Sequence, residues 1–90
     1  MTDEQIIRLI DTYEEMLAQF TAIEPQEHSF DTVCSSKRSA IAHLKTMIPQ
    51  MRNFIGDDYC YEKLHRWLGW MQGVMWSLGL LTIDQEREHN

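Results

Sequence analysis

The chain has little positive charge: eight Lys and Arg stand against fourteen Asp and Glu, a formal net charge of −6 in ninety residues. General nucleic-acid binders draw most of their affinity from phosphate contacts, so this balance argues against a DNA or RNA partner. Two cysteines, Cys34 and Cys60, are too few for a disulfide scaffold. If the two main helices run antiparallel, each cysteine sits near the start of its own helix. At ~1.5 Å per residue over about twenty residues, roughly 30 Å then separates them, whereas a disulfide needs Cα atoms within about 7 Å. No internal bridge is expected, in keeping with a reducing cytoplasm. Two prolines and four glycines are too few for a disordered or fibrous chain. The opening decapeptide is acidic and amphipathic, unlike a signal peptide. Trp67–Leu81 is the longest apolar stretch, but it spans only about 22 Å of the ~30 Å a bilayer core requires. A buried or subunit-interface helix fits it better than a membrane span.

Helical periodicity is what the sequence does have. Thr2 and Gln5 carry capping-box spacing. Ile6, Ile10, Tyr13, Leu17 and Phe20 then follow at steps of four, three, four and three, one apolar stripe widened by Leu9 and Met16. This helix should fade near Phe20, with Glu24-Pro25 as its break and Thr21 to Phe30 as a loop. Ser29 or Asp31 can cap a second helix, whose stripe runs Ala40, Ile41, Leu44, Met47, Ile48, Met51, Phe54 and Ile55. Pro49 interrupts that stripe without shifting its phase, which predicts a kink near Thr46–Met47 rather than an end. Gly56, Asp57 and Asp58 make the turn into a third helix with a heptad-like seam of Tyr61, Leu64, Leu68, Met71, Met75 and Leu78. Gly79 is its candidate stop. Thr82 and Gln85 repeat the capping-box spacing and open a short tail helix ending at His89. No segment alternates with the period of a strand. The expected fold is therefore a single all-α domain over residues 1–90: a short N-terminal helix, a long antiparallel helical hairpin and a short C-terminal helix.

The third helix is apolar on most of its circumference between Trp67 and Leu81, more than the rest of so small a chain can cover. That surplus predicts a homo-oligomer. Trp67, Trp70 and Trp76 would lie in the interface, where Gly69 and Gly73, spaced four apart, admit a close helix.

Chemical motifs are sparse. Glu62 and His65 form one Glu-x-x-His pair, whereas a di-metal carboxylate bundle needs two pairs and two further glutamates. The cysteines and histidines lack zinc-ligand spacing, so no metal or cofactor is expected. No phosphate loop or nucleophile elbow is present, and no serine has a visible base, which argues against an enzyme. The suggestive cluster is Thr32 to Ser39, which includes Ser36, Lys37 and Arg38. Helix N-termini favour anions, and adjacent Lys and Arg add charge-assisted bonds. Phe30 lies nearby in sequence and Tyr13 across the bundle, as rings that could stack on a base. Read from residues alone, a solvated, ordinarily capped helix start is the favoured reading of this cluster. Arg66 either pairs with Glu62 one turn earlier or faces an anion between subunits.

Arg66-Trp67-Leu68-Gly69, followed by Gln72-Gly73-Val74 and the Thr82-Ile83-Asp84 tail, resembles the phage anti-CBASS cyclic-nucleotide sponges, whose hairpin domain is shared with an anti-Thoeris sponge. The resemblance covers about residues 30–90. It implies a phage-encoded hexameric helical assembly in the host bacterial cytoplasm, which captures cyclic di- or trinucleotide signals without cleaving them. The family's sites use an aromatic ring and a lysine at subunit boundaries, for which Tyr13 and Lys37 are the nearest candidates here. Lys37, Arg38 and the second-helix N-terminus would hold phosphates, Tyr13 or Phe30 would stack on a base, and Arg66 would line a second site. The rival reading is an acidic helical protein that inhibits or adapts a basic host or phage protein complex. A structural helical component of a virion is a third.

Overall fold

A computed structural model describes residues 1–27 and 36–80. Those residues form three α-helices and no strand: α1 (Asp3–Ala18), α2 (Lys37–Phe54) and α3 (Tyr61–Ser77), with a single 3-10 turn, Asp58–Cys60, leading into α3. The class is all-α, as the periodicity predicts. The expected C-terminal helix, with Thr82 and Gln85, lies outside the described residues.

α1 starts on the predicted capping box. The Gln5 N–H donates to Thr2 Oγ1 (3.1 Å) and the Thr2 N–H to Gln5 Oε1 (2.8 Å), while Asp3 and Glu4 complement the helix dipole in the first turn. Its buried face is Ile6, Leu9, Ile10, Tyr13 and Leu17. The core is completed by Ile41, Leu44, Met47, Ile48 and Met51 from α2 and by Leu64, Leu68, Met71 and Met75 from α3. Burying each such side chain contributes about 1.5–3 kcal/mol. Gln72, at 8% exposure, joins the buried face of α3.

α2 continues through Pro49. The ring removes one N–H, the donor to the Lys45 carbonyl, but apolar residues before and after it stay buried on one face. Gly56, at φ +81°, turns the chain after α2, and Asp57 Oδ1 accepts the Tyr59 N–H at 2.9 Å. Gly79, at φ +76°, terminates α3 as expected. Its N–H donates to Trp76 O (2.9 Å) and that of Leu80 to Met75 O (2.8 Å), a Schellman pattern.

Two expectations are corrected. The second helix is capped by Ser36, whose Oγ accepts the Ser39 N–H at 3.0 Å, and not by Ser29 or Asp31, which lie outside the described residues. Tyr61 does not join the core seam. It is 50% exposed at the start of α3, where its ring packs on His65 with centroids 4.2 Å apart.

Candidate anion-binding site

The start of α2 places the suggestive cluster. Ser36 is the cap, and Lys37 and Arg38 are the first two helical residues, all three exposed. No acidic residue occupies this first turn. A helix start leaves its leading N–H groups outside the intrahelical ladder, so backbone donors, the positive dipole end and two cations gather in a turn that itself carries no acid.

Arg38 is already engaged. Its Nη2 donates to the carbonyl of Ala22 at 2.8 Å, in the segment that follows α1. One guanidinium carries five N–H donors, so this bond leaves the group able to grip an anion as well. Two turns along the same helix, Lys45 Nζ donates to Phe20 O at 2.6 Å and to Ile23 O at 2.8 Å. The Gln26 N–H adds a bond to Ala42 O at 3.1 Å. Residues 20–26 thus form a strap laid along α2, its carbonyls held by cations of that helix. Sequence reasoning missed Lys45. The available signal was its seven-residue spacing from Arg38, which places the two cations on one side of α2.

Tyr13 is a correction. The side chain is fully buried, at 0% exposure, among the core residues of all three helices. Its ring has no open face for a base and acts in packing. Phe30 lies outside the described residues.

The third-helix residues divide. Trp67 is partly buried, with its ring edge-on to Phe54 (centroids 5.1 Å apart). Lys63 Nζ sits 4.9 Å from the Phe54 ring centre and 5.3 Å from that of Trp67. Part of the Trp67 indole is therefore covered within one chain. Trp70 and Trp76 remain half exposed, at 50% and 52%, and Trp70 has its one described ring contact edge-on to His43. Gly69 and Gly73 lie on the same outward face, and a Cβ built on either meets no atom within 4 Å. Arg66 is exposed on this face. The ion pairs among the described residues do not include Arg66 with Glu62.

No protein-family model, curated protein or solved structure matches this chain. What the site can do therefore rests on its chemistry.

Among the described residues no three His, Cys, Asp or Glu gather to hold a metal ion. Cys60, a free thiol, has its pKa raised by partial burial and then by Asp57, and a protonated thiol is a poor nucleophile. A notch of about 200 Å³ between α1 and α2, lined by Glu14, Leu17, Ala18, Lys45, Ile48 and Pro49, is smaller than the roughly 300–1,000 Å³ of usual small-molecule sites. No described helix is long and apolar enough to cross a membrane. The arrangement at the start of α2 suits capture of an anionic group.

Proposed function

We propose that the chain binds and sequesters cyclic oligonucleotide second messengers without cleaving them, as a phage-encoded protein acting in the host bacterial cytoplasm. The observation that carries this reading is the first turn of α2. In a chain of net charge −6, Ser36, Lys37 and Arg38 form an acid-free donor cluster with Arg38 held in place by a backbone carbonyl. Lys37, Arg38 and the leading N–H groups would take the phosphates. With Tyr13 in the core, the stacking ring would come from Phe30 or from an exposed indole of another subunit.

The same reading takes α2 and α3 as an antiparallel hairpin and the molecule as a homo-oligomer, a hexamer if the family resemblance extends to assembly. Trp70 and Trp76 flanking Gly69 and Gly73 support it, because half-exposed indoles beside a backbone-deep channel suit a close-packing helix. Arg66, on that face, would line a second site at a subunit junction. Sequestration is stoichiometric, so affinity and protein abundance together lower the free signal.

A thermal-shift screen against cyclic di-AMP, cyclic di-GMP and cyclic tri-AMP, alongside the mass in solution, tests this. A ligand at about 100 times its dissociation constant should add about 2.7 kcal/mol of stability. A shift on an oligomer supports the reading. No shift with any of the three overturns it and favours the acidic protein-binding alternative, whose partner would be basic.

A further inference from the structure

We infer that Lys45 is a positioning residue for the anion site at the start of α2, acting through the strap rather than by touching the ligand. The inference rests on the proposed role of Arg38 and adds a residue outside the Thr32 to Ser39 cluster. Three carbonyls within four consecutive residues accept bonds from two cations of α2. Lys45 holds those of Phe20 and Ile23, and Arg38 holds that of Ala22 between them. The Ala22 carbonyl is therefore fixed on both sides by Lys45, two helical turns from Arg38.

Arginine loses much rotamer freedom when it binds a ligand, and a side chain already tethered loses less. The Ala22 carbonyl is such a tether. It has no side chain to mutate, but its position depends on Lys45. Removing the Lys45 ammonium takes its bond from both flanking carbonyls, leaving Phe20 O with the Ile23 N–H at 3.0 Å, and so loosens Ala22 and the guanidinium tethered to it. Lys45 itself is half-buried under the strap with its donors turned to those carbonyls, so a phosphate at the helix start does not contact it.

Calorimetric titration with cyclic di-AMP, cyclic di-GMP and cyclic tri-AMP, on wild type, Lys45→Met, Arg38→Gln and the double variant, tests the coupling. Lys45→Met should weaken binding roughly fivefold when Arg38 is present and leave it unchanged when Arg38 is Gln. Lys45→Arg, which keeps charge and donors, should restore affinity. Equal weakening in both backgrounds, or none, overturns the inference while leaving the binding reading intact. Side-chain nitrogen relaxation of Arg38 in the free protein supplies a readout independent of ligand. Its order should fall in Lys45→Met towards the flexible range, below about 0.6, and unchanged order overturns the inference. If the wild type gives no heat with any probe, the anion-site reading fails, and the relaxation data still decide whether Lys45 holds Arg38. Circular dichroism confirms helix content in each variant. If Lys45→Met does not fold, Lys45→Gln, which keeps one donor pair, replaces it in the same cycle.

Discussion

Arg52 of α2 ties two carboxylates of α1 with one nitrogen: Nη2 lies 2.7 Å from Asp11 Oδ1 and 3.0 Å from Glu14 Oε1. The hydrogen bond to Asp11 is the main cause of a guanidinium pKa raised above its already high value. Its side chain is 33% exposed and both acids are 56% exposed, and solvent screens pairs of that kind. Arg52→Ala should cost about 1 kcal/mol in urea unfolding. The loss should shrink in about 1 M salt, where the screening length falls to about 3 Å. A cost unaffected by salt would assign the effect to packing of the arginine stem.

Tyr13 acts in the core, and its variants should read as stability effects. Tyr13→Ala removes a fully buried ring and should cost about 3–5 kcal/mol, a large share of the roughly 5–15 kcal/mol that holds a typical domain. Tyr13→Leu keeps most of the apolar volume and should cost less. If Tyr13→Leu folds like wild type yet abolishes cyclic-nucleotide binding, the ring is reached by ligand after all.

The same residue shows where sequence reading succeeds and stops. The four-three spacing of Ile6, Ile10, Tyr13 and Leu17 placed all four on one buried face, because helical geometry alone fixes it. The phenol made Tyr13 look like a ligand contact, yet its place mid-stripe was the better guide. The sequence pointed to Ser29 or Asp31 as the cap of the second helix, whereas Ser36 takes that place, because spacing does not choose among nearby hydroxyls and acids. Tyr61 fits a heptad seam by number, but a periodicity does not tell how far a covering helix extends. The partial cover of Trp67 by Phe54 was not legible either, because that contact depends on the path of the turn at Gly56. The grip of Lys45 on the strap was illegible for the same reason: carbonyls carry no sequence signature, and only the tertiary course of residues 20–26 brings them to the ammonium.

Cys60 should alkylate more slowly than an ordinary thiol at mildly alkaline pH. Partial burial disfavours the thiolate most, and the Asp57 carboxylate, 3.6 Å away, adds to the effect. Because the folded thiol holds its proton more tightly, its stabilising contribution is present below the ordinary thiol pKa and is lost as pH rises through the raised one. In a Cys34→Ser background, Asp57→Asn should lower the midpoint of the iodoacetamide rate–pH profile while leaving some elevation from burial. A midpoint unchanged by Asp57→Asn would leave burial as the whole cause. The substitution also weakens the cap on the Tyr59 N–H, so melting must be followed in parallel.

Gly73 separates a single-chain protein from an assembled one by the sign of its effect. In one chain, a Cβ at Gly73 meets nothing within 4 Å, and mid-helix glycine costs about 0.5–1 kcal/mol relative to alanine. Gly73→Ala should therefore raise the melting temperature of an isolated chain. If a second copy packs its helix along the Gly69–Gly73 channel, the added methyl enters the closest point of contact and separates the backbones. Gly73→Ala, and more strongly Gly73→Leu, should then lower the assembled mass in sedimentation and make melting depend more steeply on protein concentration. Trp70→Lys, which places a charge at the margin of the same face, should act in the same direction. Stabilisation by Gly73→Ala with unchanged mass would mean that no helix approaches this channel, and the exposed indoles would need another explanation.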